Sequence, residues 1–410
     1  MIETFSGIGS QTQALKNIGV DHEVVAIAEW DVNAMFAYDI MHNGVQDYSI
    51  LRHHNKESLI SELLQYNLSG DGKKPLTERA IRSLSMQQLK SIFISINRTN
   101  NLVDITQIHS QNLPNADILT YSFPCQDLSV SGHWHNNTGG IDRNAKNRST
   151  LLWQIERILK EYNASEKELP SFLLMENVSN ILSARHIDNF NEWSSFLKNL
   201  GYVNQIYTLD ARNFGIPQSR KRTFMLSVLA NNKEKENLIL NYFSENNLEK
   251  YQKVSIKPIE NFLKLDYSIE KYKIEALEST PVLTESRKKI FEENPILAIG
   301  KKSVKNMVAK TITTKQDRHP NSGVVAYDSR TILTSSNILY RNLTPRECFL
   351  LMGFDEDQFD RLVESNFETK KGYRFLSTSK LLKMAGNSIV VPVLEEIFKQ
   401  VIEIENLLKN

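Results

Sequence analysis

IETFSGIGSQTQALKNIGVDHEVVAIAEW, residues 2–30, reads as a short apolar strand, a glycine turn, an amphipathic helix and a second strand. Phe5-Ser6-Gly7-Ile8-Gly9 follows the first strand directly and precedes a helix whose apolar residues Ala14, Leu15 and Ile18 recur at helical spacing. Glycines in such a turn let backbone N–H groups approach a ligand at a helix start, which implies a nucleotide-like cofactor; the alternative is a glycine pair that only turns a corner. The second strand ends in Glu29-Trp30, an acidic side chain placed for ribose hydroxyls and an indole able to stack on adenine. Together they suggest an adenosine-bearing cofactor, against the alternative of a surface glutamate and a core tryptophan.

Outward from this unit the alternation continues. Strand-like runs at Val24–Ala28, Ile118–Tyr121, Phe172–Met175 and Thr223–Val228 are separated by longer amphipathic segments, which argues for a parallel sheet flanked by helices. Residues 56–100 form a polar stretch punctuated by Leu and Ile, read as a helical insertion without an assigned role. From about 231 the texture becomes rich in Lys, Glu and Asn without βα alternation, as expected of a second domain. Met384–Lys399 reads as a loop, a short apolar segment (Ile389, Val390, Val391) and a helix that rejoins the first domain. The expected division is 1–230, 231–377 and a returning segment 378–410.

A chain of 410 residues has room for a full α/β core and a smaller second domain. Apolar and charged contents of 40% and 24% are ordinary for a globular protein, and no apolar run approaches a membrane span. No basic stretch followed by an apolar one stands at the start, so a cytoplasmic protein is expected. Two cysteines exclude a disulfide framework, and neither Cys125 nor Cys348 has partners at metal-ligand spacing, so no metal is expected. Lys and Arg balance Asp and Glu at 49 to 48, so any basic surface must be local. Arg287–Arg318 is such a stretch, with nine basic residues against three acidic ones; a solvated face is the plain alternative.

Ser122-Phe123-Pro124-Cys125-Gln126 follows a strand and opens a polar loop containing Gly132, Gly139 and Gly140. A cysteine at a strand's carboxyl end can be an activated nucleophile, although a lone cysteine is more often a small buried hydrophobe. Glu176-Asn177-Val178 ends the next apolar strand, and ligands bind beyond the carboxyl ends in such sheets, so a nucleophile and a carboxyl group face one cleft. Gln218, Arg220 and Arg222 alternate before another strand and can point to one side as fixed donors for a phosphate or carbonyl oxygen, or serve as plain surface charge.

The order FSGIG, EW, DIT, FPCQ, ENV, QSRKR, LTPRECFLLMGF and GNSIVVP, spread over positions 5–392, resembles the DNA cytosine-5 methyltransferase family of bacterial restriction-modification systems. The resemblance implies an α/β, Rossmann-like S-adenosylmethionine-dependent methyltransferase fold with a second, smaller target-recognition domain. Phe5, Gly7 and Gly9 would line the cofactor pocket, with Ile105 and Pro124 beside them. Glu29 would hold the ribose, Trp30 would pack on adenine and Asp104 would meet the adenine amino group. Asn387 and Ser388 would close the pocket.

The target cytosine would be flipped out of the duplex, since its ring is unreachable inside the stack. Cys125 would attack C6, Glu176 would bond to or protonate N3, and Arg222 would hold the O2 edge. Asn177 would brace the Cys125 loop, and Arg220 would hold nearby structure or a phosphate. The residues from Ser129 to Gly140 suit a lid. Residues 231–340 would read the DNA, with the basic stretch meeting phosphates. Pro345 fits the first turn of a helix within Leu343–Phe354, and Cys348 there fits packing. Two features depart from the family pattern: the first strand is short, and Ser10 stands where a third glycine is common.

Double-stranded DNA is the expected partner of a monomer that protects host DNA beside a restriction endonuclease. The tRNA-modifying branch of the fold is the nearest rival, and it tends to carry proline where Phe123 stands. A nicotinamide oxidoreductase would leave Cys125, Glu176 and the arginines without a role. A non-catalytic DNA-binding module would leave every chemical residue unexplained.

Overall fold

The computed structural model describes residues 1–125, 128, 139–145, 147–165, 167–250, 254–328 and 339–409. Strands β1 (Ile2–Thr4), β2 (Ala26–Ala28), β3 (Ile118–Tyr121), β4 (Phe172–Val178), β5 (Tyr202–Asp210) and β6 (Lys221–Leu229) form one sheet in the order β2-β1-β3-β4-β6-β5. The first four pair in parallel, whereas β6 runs antiparallel to both β4 and β5. The sheet is therefore mixed, which corrects the expected all-parallel arrangement. The unread strand is β5, an edge strand of mostly half-buried residues (Val203, Asn204, Gln205, Ile206) that lacks a continuous apolar run.

The middles of β4 and β6 are largely apolar because both faces are covered. Phe172 and Leu174 of β4 join Phe224, Leu226 and Val228 in one core, while Leu173 and Met175 join Met225 in the other. The first core is roofed by α1 (Ser10–Asn17), α2 (Val32–Asn43) and the C-terminal helix Val391–Lys409; the second is roofed by helices Leu152–Ala164 and Ile187–Asn199. Asn17 donates to Glu395, and the Tyr207 hydroxyl of β5 donates to Gln400, so the last helix lies on the first layer.

Residues 56–100 contain helices α3 (Lys56–Leu63), α4 (Glu78–Arg82) and α5 (Met86–Arg98), and α5 packs on α2. Ser85 and Gln88 close a capping box at the start of α5, which buries Leu89 and Ile92. Helix Lys233–Glu245 packs on β5 and on the C-terminal helix, so the sheet layer retains the chain beyond the boundary expected at 230. A second sheet of order β10-β9-β7-β8 follows: β7 (Ile296–Ile299), β8 (Lys302–Ser303), β9 (Val324–Ala326) and β10 (Tyr340–Asn342). Met384 is not in a loop as expected, since helix Thr378–Asn387 continues through it. No helix among the described residues is long and apolar enough to cross a membrane.

Helix Pro345–Leu351 starts with Thr344 as N-cap, Pro345 in the first turn and Glu347 closing a capping box, and Cys348 within it is fully buried. Glu347 also receives both terminal nitrogens of Arg341, and both side chains are 0% exposed. A buried ion pair contributes modestly as a whole, but removing one partner strands the other charge. Glu347→Gln is accordingly expected to destabilise by about 3–5 kcal/mol in guanidinium unfolding. Arg82→Gln, which removes only exposed partners Glu57 and Glu78, should leave the midpoint nearly unchanged; equal effects would refute the argument.

Candidate active site

The carboxyl ends of β1, β3 and β4 share one edge of the sheet, because Thr4 pairs with Tyr121 and Tyr121 with Met175. The segments leaving that edge carry Phe5 and Ser122–Cys125, and the end of β4 itself carries Glu176 and Asn177. Strand β6 enters at the same edge because it is reversed, with Arg222 paired to Val178. These segments surround a cavity of about 360 Å³, within the range of small-molecule sites.

Phe5 and Gly7 line one end of this cavity, at φ 54° and 56°. A bulky residue in this left-handed region is uncommon and marks backbone held by its surroundings. The Gly7 N–H donates to Glu29 Oε2 at 3.0 Å, and the Asp31 N–H donates to Glu29 Oε1 at 2.8 Å. Burial, then the Asp31 charge, push the Glu29 carboxyl up to about 7. Trp30, Asp104, Ile105, Pro124, Asn387 and Ser388 also line the cavity. Asp104 is already engaged by Asn67 and Thr106.

Gly9 stands apart from the other cofactor-loop residues. Its N–H is spent on Ser6 O, and a Cβ there would lie 2.3 Å from the His42 ring and 2.8 Å from Tyr38. Close packing and φ 79° explain this glycine, which supports the turn from behind instead of lining the cavity.

At the other end, Cys125, Glu176, Arg220 and Arg222 line the same cavity. Arg222 Nε lies 3.3 Å from Glu176 Oε1. Asn177 Nδ2 donates to Phe123 O at 3.0 Å, and Ser149 Oγ to Pro124 O at 2.7 Å, so two carbonyls just before the cysteine are fixed. Burial raises the Cys125 thiol above its ordinary value; Arg222 opposes this and Glu176 adds to it. Burial also raises the Glu176 carboxyl, against the two arginines.

Arg220 is only 3% exposed and donates to Ile312 O, Gly386 O and Ser388 O. The phosphate option is closed by this burial, leaving a clamp on backbone. Gln218 does not join the arginines at the cavity: it donates to Leu351 O and accepts from the Ile312 N–H. Gln126 and residues 129–138 of the expected lid lie outside the described residues.

Gly72, Arg148 and Lys383 line the cavity without having been singled out in the sequence. Gly386 has a readable reason: a Cβ would meet the Thr313–Thr314 backbone at 2.4 Å, so the end of helix Thr378–Asn387 needs its glycine for close approach. In the basic stretch, Lys289, Lys301, Lys302, Lys305 and Lys315 are exposed.

An α/β sheet with a cysteine, a glutamate and an arginine beyond its strand ends, joined to a glycine-turn pocket, defines a methyltransferase-type site. The C-5 cytosine-specific DNA methylase family model matches residues 73–403, and the chain belongs to that family. It is 32% identical to the type II methyltransferase M2.ScrFI of Lactococcus lactis subsp. cremoris over 98% of each chain. It is also 32% identical to the orphan methyltransferase M.SssI of Spiroplasma monobiae, over 98% of this chain and 96% of that one. The S. pombe Dnmt2 methyltransferase structure matches at a TM-score of 0.58 and 18% identity, over 98% of this chain and 97% of that one, a likeness of fold. The protein is a DNA cytosine-5 methyltransferase with a Rossmann-like, S-adenosylmethionine-dependent fold.

The raised thiol value gives a pH prediction. A cysteine shifted upward holds less thiolate at neutral pH, so iodoacetamide should label Cys125 slowly at pH 7 and faster as pH rises beyond about 8.5. Fully buried Cys348 keeps the readout clean. Glu176→Gln removes a charge that raises the thiol and should speed labelling several-fold at pH 7. Slower labelling in that variant would refute the coupling.

Proposed function

We propose that the chain methylates C5 of a cytosine flipped out of a specific short duplex sequence, through a covalent bond from Cys125 to C6. The observation that carries this reading is the single cavity shared by Glu29, Trp30 and Asp104 at one end and Cys125, Glu176 and Arg222 at the other. The first set suits a nucleoside: a carboxylate at the cavity, an indole and the open space before Gly7, where a Cβ would meet nothing within 4 Å. Bound S-adenosylmethionine supplies an electrophilic methyl group.

The Cys125 thiol gives its proton to solvent as Sγ bonds to C6. Glu176, which burial biases toward the protonated form, hydrogen-bonds or protonates N3, so that charge developing in the ring is neutralised and C5 becomes nucleophilic. Arg222 holds the O2 edge while remaining beside Glu176. Asn177 keeps the thiol in place through Phe123 O. Once C5 is methylated, its proton leaves to a base, the Sγ–C6 bond breaks and the cysteine is regenerated.

The chain beyond helix Lys233–Glu245, to residue 377, forms the target-recognition region in this reading, with the exposed lysines of the basic stretch neutralising phosphates. One duplex site requires one catalytic centre, which fits a cytoplasmic monomer. A type II relative and an orphan relative at equal identity accommodate both a protective and a solitary role; we favour the protective role beside an endonuclease. Extract of the source cells should then cleave the unmodified duplex and spare the modified one.

The deciding experiment follows a labelled methyl group from S-adenosylmethionine into unmethylated duplex DNA, with tRNA as the other acceptor and bisulfite sequencing of the product. Cytosine C5 methylation in one short duplex context is expected, reduced at least about 10³-fold in Cys125→Ala. Undiminished transfer by that variant would sink the covalent mechanism, and transfer to tRNA alone would sink the DNA assignment.

A further inference from the structure

Residues 67–76, from the stretch to which the reaction assigns nothing, reach the wall of the cavity. Ser69 N donates to Trp30 O at 2.8 Å and Val32 N donates to Ser69 O at 2.9 Å, so this segment runs beside Trp30–Val32 like a short added strand. Ser69 Oγ donates to Lys74 O at 2.7 Å and accepts from Gly72 N at 2.9 Å, which closes a tight loop. Gly72, at its tip, lines the cavity.

Several elements grip this loop. Lys383 Nζ donates to Asp71 O and to Asp31 Oδ2, both at 2.7 Å. Arg148 Nη1 donates to Gly72 O at 3.1 Å, and Asn33 Nδ2 to Gly70 O at 3.0 Å. Asn67 Nδ2 reaches Asp104 Oδ2 at 2.8 Å. Gly72 has φ +65°, and a Cβ there would stand 3.3 Å from both Asp31 Oδ2 and Lys383 Nζ, so the loop passes close over the ion pair.

We propose that residues 67–76 are a strap completing the nucleoside end of the cofactor cavity, and that Lys383 is the positioning residue that holds it by bridging Asp31 and the Asp71 carbonyl. The inference rests on the reading of that cavity as the S-adenosylmethionine site. Its physical basis is charge compensation in a half-buried place. Asp31 stands beside Glu29, and an unneutralised Asp31 would drive Glu29 toward its protonated form, a poorer acceptor for ribose hydroxyls.

The charged groups around this point are Asp31 at the start of α2, Lys383 and Lys380 on helix Thr378–Asn387, and Asp71 on the strap. Lys380 donates to Phe375 O and feels Asp31 only at longer range, Arg148 donates to Gly72 O, and Asp71 accepts from the Lys73 and Lys74 N–H groups, whereas Lys383 makes the direct ion pair with Asp31. Lys383 therefore supplies the compensation. Burial and Asp31 raise Glu29 and Lys383 opposes them, so loss of Lys383 moves protonation of Glu29 to higher pH.

The test is calorimetric binding of S-adenosylhomocysteine without DNA, from pH 6 to 9, to the parent, Lys383→Met, Lys383→Arg, Asp31→Asn and the Lys383→Met/Asp31→Asn double variant. Lys383→Met should bind about tenfold more weakly, with the pH midpoint of affinity displaced upward and kcat at saturating cofactor falling less than affinity. Lys383→Arg should recover most of the loss. In the Asp31→Asn background the same change should weaken binding only about twofold. Trypsin should cut the Lys73–Lys74 bond faster in Lys383→Met, a readout of the strap itself. Binding by Lys383→Met within twofold of the parent, or an undiminished loss in the Asp31→Asn background, would overturn the proposal. Failure of the parent to bind would instead overturn the cofactor reading beneath it.

Discussion

The antiparallel pairing of β6 against β4 places the start of β6 beside the end of β4. In an all-parallel sheet the amino end of this strand would lie at the opposite edge, a strand's length from the cysteine. Reversal sets Arg222 across from Val178 and diagonal to Glu176, close enough for the 3.3 Å contact. The carboxylate thereby acquires a cationic partner through backbone register, and the partner's position does not depend on a flexible loop. Edge strand β5 follows from the same reversal, because it supplies β6 with its second neighbour.

The charges at this edge oppose one another. Burial disfavours both the Cys125 thiolate and the Glu176 carboxylate, and each negative group disfavours the other, while Arg222 and Arg220 offset part of this. Burial thus biases both acids toward their protonated forms, and the two guanidinium groups hold that bias in check. In the proposed reaction that bias keeps the cysteine quiet toward passing electrophiles until a pyrimidine ring is in place. The same bias favours the proton on Glu176 that the proposed chemistry offers to N3.

Much of this was legible in the sequence because the site is built from short runs at strand ends, where residue type and position are tightly coupled. Cys125, Glu176, Arg222, Glu29 and Trp30 fall on one cavity because each sits at the same edge of the sheet, four at carboxyl ends and Arg222 at the amino end of a reversed strand. What escaped had weaker local signals. Strand β5 is polar because it is an edge, and the direction of β6 has no signature in its own residues. Gly9 looks like its neighbour Gly7, yet only the packing of His42 and Tyr38 behind it separates a supporting glycine from a lining one. Gln218 and Arg220 alternate with Arg222 as expected, but their partners are carbonyls almost a hundred residues away or more, which spacing cannot reveal.

Those carbonyls explain how the second region is attached. Ser219 N and Ala309 N exchange bonds with Ala309 O and Pro217 O. Gln218 reads the Ile312 N–H and the Leu351 carbonyl, and Arg220 takes Ile312 O. On the far side of this seam most contacts are to backbone, the Thr311 hydroxyl on Ser219 O and Met352 Sδ beside Gln218 being side-chain exceptions, and Gly386 lets the Thr313–Thr314 backbone approach the end of helix Thr378–Asn387. A junction that reads main chain tolerates side-chain change beyond it, provided the path of the chain is kept. If this region reads the DNA as proposed, its specificity can diversify while the strand that carries Arg222 remains fixed against the seam.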